Sequence, residues 1–110
     1  MATAQNAQEF VESVLRKHKV VGISKTNCPY SQRAKVALET FKLNKDDFYW
    51  LEIDNRDDME FIQNYMEALT GGRTVPRVFI NGNFFGDGDT TVAALNSGRL
   101  GEKLKEENVI

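Results

Sequence analysis

A second cysteine is what this sequence most plainly lacks: its 110 residues hold a single one, Cys28. That excludes a small scaffold stapled by disulfides, and equally a structural zinc site built from several thiolates. Proline and glycine are scarce, at two and eight residues, so no collagen-like repeat or low-complexity linker divides the chain. Positive charge is not in excess either. Fourteen Lys and Arg against sixteen Asp and Glu give a formal net charge of −2, which offers no electrostatic footprint for nucleic acid. Apolar runs stop after a handful of residues, far short of a membrane span, and the opening MATAQNAQEFVESVLRKHKV has no basic segment followed by an apolar one. The expectation is one domain over residues 1–110, cytoplasmic, with neither a membrane nor a nucleic acid as partner. A lone cysteine is then either a small buried apolar residue or a chemical site.

What is present reads as alternating helices and strands. From about 5 to 18, Ala7, Phe10, Val11, Val14 and Leu15 share one helical face. Val20-Val21-Gly22-Ile23 reads as a short buried strand. A helical run from Pro29 to about Phe41 carries Ala34, Ala37, Leu38 and Phe41 as its apolar stripe. Phe48 to Ile53 is aromatic and apolar enough for a central strand. Met59, Ile62, Met66 and Leu69 space a third helix that Gly71-Gly72 ends. Arg77–Ile80 and Asn83–Gly86 flank Asn81-Gly82, a pair that favours the type I′ hairpin turn. Short helices near 89–96 and around Leu100 and Leu104 close the chain. The first βαβ unit should be parallel and the terminal hairpin antiparallel, giving an α/β fold with a mixed four-stranded sheet flanked by helices.

The cysteine sits in Ser24-Lys25-Thr26-Asn27-Cys28-Pro29-Tyr30-Ser31, after the first strand and at the start of the second helix. Proline favours the first helical position, which puts Cys28 at the N-cap. There its side chain can accept from the amides of Tyr30 and Ser31, and the helix dipole favours a thiolate. Lys25, Arg33 and Lys35 add positive potential. A polar loop at a helix start suits a chemical site better than an inert buried thiol.

Lys25-Thr26-Asn27-Cys28-Pro29-Tyr30-Ser31 resembles the active-site loop of glutaredoxins of the Cys-Pro-Tyr-Cys type, and Thr74-Val75-Pro76-Arg77-Val78-Phe79-Ile80-Asn81-Gly82 resembles that family's segment leading through its hairpin. The likeness covers nearly the whole chain and implies the thioredoxin fold. It also implies a glutathione-dependent thiol–disulfide oxidoreductase with Cys28 as nucleophile and Pro29, Tyr30 and Ser31 completing the loop. One departure dominates: Ser31 stands where dithiol members have a second cysteine. It suits a natural one-thiol chain and also a cysteine replaced by serine. A hydroxyl cannot resolve a mixed disulfide, so a monothiol route remains, with glutathione as co-substrate. Only Thr26 and Asn27 separate Lys25 from Cys28, which is similar to the short catalytic class and not to the Cys-Gly-Phe-Ser iron–sulfur carriers with their usual insertion there.

By the same resemblance, Lys25 and Gln63 would hold the glycine carboxylate of glutathione, with Arg73 a further cation. The residues Thr74 and Val75 would offer their backbone to its cysteinyl part, beside a cis Pro76 facing Cys28. The amides of Gly88 and Asp89, at a helix start, would take the γ-glutamyl carboxylate, and the Asp89 side chain would meet the ammonium or cap the helix. Asp87 replaces a usual glycine, adding a negative charge and a Cβ, so weaker glutathione affinity is expected. Tyr30 would wall the groove. His18, among Arg16, Lys17 and Lys19, reads as a cation at a helix C-terminus. Glu52, Asp54, Asp57, Asp58 and Glu60 lack histidine or cysteine companions and read as a solvated acidic face, so no metal is expected. The partners implied are glutathione, glutathionylated proteins and low-molecular-weight disulfides, acting on a monomer. The alternative is a dimer sharing a glutathione-ligated [2Fe–2S] cluster through Cys28.

Overall fold

A computed structural model describes residues 1–110. Its elements are α1 (Ala4–Lys17), β1 (Val20–Ser24), α2 (Pro29–Glu39), β2 (Phe48–Glu52), α3 (Met59–Thr70), β3 (Arg77–Ile80), β4 (Asn83–Gly86), α4 (Gly88–Ser97) and α5 (Arg99–Glu106). The strand order is β2-β1-β3-β4. Strand β1 runs parallel to β2 and antiparallel to β3, and β3 and β4 form the hairpin. This is the mixed four-stranded α/β sheet expected, and no helix is long and apolar enough to cross a membrane.

Alternation along the two central strands distributes the core to both faces. Val21 and Ile23 of β1 and Phe79 of β3 face α1 and α3, where they pack with Ala7, Val11, Val14, Ile62 and Met66. Val20, Val78 and Ile80 face the other way, onto Leu38, Ala94, Leu100 and Leu104 from α2, α4 and α5. Strand β1 is buried at all five positions. It is therefore the axis on which both layers hang.

Local signals account for most boundaries. Thr3 caps α1, accepting from the Asn6 amide at 3.0 Å. Gly71 ends α3 in the left-handed conformation at φ 83°. Asn81 and Gly82 both have positive φ, 49° and 80°, as a type I′ turn demands. Strand β2 corrects the expectation of a central strand: it lies at the sheet edge. Its rings are only partly buried because they lie against helix layers and not between two neighbouring strands; Tyr49 joins one cluster, Phe48 and Trp50 the other. His18 caps the C-terminal end of α1, stacks on Tyr49 with ring centroids 4.9 Å apart, and places Nδ1 2.8 Å from the Asp46 carbonyl.

The Trp50 indole crosses the β1 backbone at Gly22. A Cβ on Gly22 would lie 2.1 Å from Trp50 Cζ3 and 2.2 Å from Cε3. Gly22→Ala should therefore expel the ring and cost about 1–3 kcal/mol. At about 5 °C per kcal/mol for a domain of this size, thermal unfolding reads that loss, and an unchanged midpoint would show that the indole moves aside freely.

Candidate active site

Four segments meet at the C-terminal end of β1: the 25–31 turn, the 73–76 loop, the start of α4 and the edge of α3. The turn is built around Cys28, the N-cap of α2, with φ −109° and ψ 112°, and Pro29 opens the helix. As a thiol, Cys28 makes no capping hydrogen bond. Its Sγ instead lies 3.9 Å from the Val75 carbonyl, to which it donates. Burial alone would push this thiol up. The Ser31 hydroxyl, the amides of Ser31 and Tyr30 and the charge of Lys25 together outweigh that and hold it below the ordinary thiol range. The capping interactions expected from the sequence thus belong to the ionised sulfur, because a neutral thiol is a poor acceptor.

Ser31 is fully buried, and its Oγ has no hydrogen-bond partner. A buried hydroxyl without a partner is uncommon. Here the acceptor it favours is the Cys28 sulfur once that carries charge.

Opposite Cys28, the Val75–Pro76 peptide is cis, as expected. Its loop is fixed from both sides. Arg77 donates through Nε to the Thr74 carbonyl at 2.9 Å and through Nη2 to Thr74 Oγ1 at 3.0 Å, while its guanidinium covers the Phe84 ring 5.3 Å from the centroid. From α3, Gln63 donates through Nε2 to the Arg73 carbonyl at 3.0 Å. Arg73 in turn donates to Asn64 Oδ1 at 3.1 Å. Gln63 is therefore a buried tie between α3 and this loop in the free protein, and its amide nitrogen already serves a backbone carbonyl. The ammonium of Lys25 is in a different position: the chain's two ion pairs, Arg56–Asp58 and Lys103–Glu107, leave it unpaired.

The start of α4 corrects two expectations. Asp87, not Asp89, caps the helix: its Oδ1 accepts from the Thr90 amide at 2.9 Å. Its φ of −84° is ordinary, so the conformational freedom of glycine is not needed there. The Thr90 amide, with Arg77 nearby, holds the Asp87 carboxyl below the usual carboxylate range. Asp89 is exposed instead. The first intrahelical bond is Thr91 to Asp87, so the amides of Gly88 and Asp89 stand free of the ladder, as an anion site at a helix start requires.

Gly88 is where the segments touch. A Cβ there would lie 3.0 Å from the Tyr30 carbonyl oxygen and 3.2 Å from the Pro76 ring carbons. Beside it, a cleft of about 210 Å³ is lined by Tyr30, Arg33, Gly88 and Asp89 among others. Tyr30 is 53% exposed, with Arg33 5.1 Å over its ring, so it walls the groove and is not core.

Three contributors were not singled out from sequence. Arg77 read only as a strand residue, although its two bonds hold Thr74. Asp54 and Asp58 read as solvated acids. Asp58 is instead nearly buried in a bidentate pair with Arg56, and Asp54 accepts from Thr26, 28 residues away. The parallel pairing of Ser24 with Glu52 is the signal that would have placed Thr26 beside Asp54.

Comparison with known proteins follows the same lines. The glutaredoxin family model matches residues 12–85. Glutaredoxin-C8 of Oryza sativa subsp. japonica is 42% identical over 95 residues, which span 86% of this chain and 69% of that protein. The crystal structure of oxidized glutaredoxin 2 from Chlamydomonas reinhardtii superposes with a TM-score of 0.89 at 40% identity, covering 100% of both chains. That of a buckwheat glutaredoxin–glutathione complex gives 0.85 at 29% identity, covering 97% of this chain and 94% of that one.

Removing the Ser31 hydroxyl takes away a donor that only the thiolate uses, so Ser31→Ala should move the Cys28 titration upward. The pH dependence of alkylation by iodoacetamide measures it; a midpoint that stays put would exclude the hydroxyl from the sulfur's environment. A thiol whose folded pKa lies below its unfolded value stabilises the fold at pH above the unfolded pKa, and loses that increment as pH falls through the folded one.

Proposed function

The chain belongs to the glutaredoxin family of glutathione-related thiol oxidoreductases, and on that premise we propose that it reduces glutathione mixed disulfides by a one-thiol cycle with Cys28 as nucleophile. The observation that carries this reading is the pairing of an activated thiol at a helix N-cap with the absence of any second sulfur in cysteine form.

The cycle balances with one chain thiol. The Cys28 thiolate attacks the glutathione sulfur of R–S–SG, the S–S bond of the substrate breaks, and R–S⁻ leaves and takes a proton. Cys28 is then in a mixed disulfide with glutathione. The thiolate of a second glutathione attacks the glutathione sulfur of that adduct, releasing glutathione disulfide and restoring Cys28. The net reaction is R–S–SG plus glutathione to R–SH plus glutathione disulfide.

In this reading the free ammonium of Lys25 receives the glycine carboxylate of glutathione, with Gln63 and Arg73 at its edge. The Thr74-Val75 backbone beside Pro76 pairs with the cysteinyl part. The amides of Gly88 and Asp89 donate to the γ-glutamyl carboxylate, and the exposed Asp89 side chain meets the ammonium. What supports it is that the Gly88 and Asp89 amides at the positive start of α4 and the ammonium of Lys25, whose charge acts on Cys28, are uncommitted. Substrates on this reading are glutathionylated proteins and low-molecular-weight disulfides, handled by a cytoplasmic monomer.

Glutathione-dependent reduction of a small mixed disulfide should fall to background in Cys28→Ser, and incubation with glutathione disulfide should add one glutathione to the parent by mass and none to the variant. Equal turnover in parent and variant would remove Cys28 from the mechanism. Visible absorption after anaerobic expression, with glutathione bound and no turnover, would instead favour a shared [2Fe–2S] cluster.

Asp87 lies next to the proposed γ-glutamyl carboxylate site. Removing its charge in Asp87→Gly should tighten glutathione binding about two- to fivefold, the scale of an exposed charge interaction. The loss of the cap should cost only a few tenths of a kcal/mol, because glycine is itself tolerated there. Calorimetric titration of both proteins checks this, and equal affinities would dismiss Asp87 as a modulator.

A further inference from the structure

Thr26, two residues before the nucleophile, is held by every polar group it has. Its hydroxyl donates to Asp54 Oδ2. Its amide donates to Asp54 Oδ1 at 3.2 Å. Its carbonyl accepts from Gln32 Nε2 at 3.0 Å. Asp54 follows β2, and Gln32 lies in the first turns of α2. The turn that carries Lys25 and Cys28 is therefore bracketed by the strand on one side and by its own helix on the other.

The register explains why Asp54 reaches it. Ser24 pairs with Glu52 in the parallel ladder, and the Ile53 amide extends that pairing to the Ser24 carbonyl at 2.9 Å. Two residues further along each strand, Thr26 and Asp54 come side by side. At the root of the turn the Ser24 hydroxyl bonds Glu52 Oε2 of β2 at 3.0 Å. Within residues 25–31 the only other side-chain hydrogen bond across to another segment is the long one from the Cys28 thiol to the Val75 carbonyl, in the loop before β3.

We propose that Asp54 is a positioning residue for the reaction: by taking both donors of Thr26 it fixes the turn so that the Lys25 ammonium and the Cys28 sulfur address one glutathione. Asp54 makes no hydrogen bond or ion pair with the sulfur or with the proposed ligand groups, and only its charge is felt at Lys25. It acts through Thr26. The inference rests on Cys28 being the nucleophile, and small misplacements of a reacting group are enough to lower a rate well beyond tenfold.

Two physical roles for this carboxylate predict opposite signs. As a mere charge near the active-site turn, it would disfavour the thiolate, and its removal would bring the Cys28 titration down. As a clamp, it keeps the α2 amides, Ser31 and Lys25 in register with the sulfur, and its removal would move the titration up.

The test uses the full chain. In Asp54→Ala, the pH midpoint of iodoacetamide alkylation should rise and kcat/KM toward a glutathionylated peptide should fall about tenfold. Asp54→Asn, which still offers an oxygen to the Thr26 amide, should recover part of both. The double variant Asp54→Ala with Thr26→Ala should be no worse than Asp54→Ala alone, since one interaction cannot be lost twice. A midpoint that falls or stays fixed in Asp54→Ala, a loss confined to the thermal midpoint, or additive effects of the two substitutions would each overturn the proposal. Alkylation reads the sulfur without glutathione chemistry. A parent that alkylates readily yet turns over no mixed disulfide therefore counts against the proposed function, while the alkylation series still decides the clamp.

Discussion

Three backbone segments far apart in sequence meet at the α-carbon of Gly88, and the geometry of the site depends on how closely they do so. The Tyr30 carbonyl belongs to the first turn of α2, and Pro76 to the loop before β3. Both lie at distances from which a Cβ on Gly88 would have to push one of them away. With only hydrogen there, α4 seats its N-terminus against the same point that Cys28 faces. The positive end of one helix activates the sulfur, and the positive end of another lies open beside it. A larger residue would separate the two helix starts, and with them Cys28 and the free amides.

Around that contact, the polar side chains serve the backbone more than they serve solvent. Arg77 holds Thr74, Gln63 holds the Arg73 carbonyl, and Asp54 with Gln32 holds Thr26. Each of these side chains comes from a regular element or its immediate end and grips a loop. Loops beside a reaction centre have few apolar contacts of their own, so side-chain to backbone bonds are what keep them in one conformation. The exception is Lys25, whose charge has no partner within the chain and helps keep the thiol low.

Local chemistry made much of this readable in advance. Asn81-Gly82 favours a tight hairpin, Pro29 favours a helix start, and the spacing of Ile62 and Met66 matches the buried face of α3. Leu69, expected on the same stripe, is 45% exposed because it falls in the last turn, beyond the packed layer. The edge position of β2 was not readable, because aromatic strand residues look alike whether they face strands or helices. Nor was the cap at α4: Asp87 and Asp89 are both capping residues two positions apart, and the choice falls to the one whose oxygen meets the Thr90 amide. Asp54 looked like one carboxylate among five. Its role depends on a parallel register that joins residues 28 apart, and no periodicity within a single element encodes that.

Accessibility divides the labour between the two positions at which this family carries sulfur. Cys28 is partly exposed, while Ser31, about one helical turn further along α2, is fully buried. A thiol at position 31 would face the Cys28 sulfur, where the Ser31 hydroxyl now lies, and would be placed to displace a partner held there. A hydroxyl cannot do that, but it can donate a hydrogen bond to the same sulfur when that sulfur is charged. Serine at this position thus keeps the electrostatic half of a second thiol's contribution and removes the covalent half. On the one-thiol cycle proposed above, the electrons come from a second molecule that reaches Cys28 from solution, and the uncommitted Lys25 ammonium and α4 amides are the groups offered to its carboxylates.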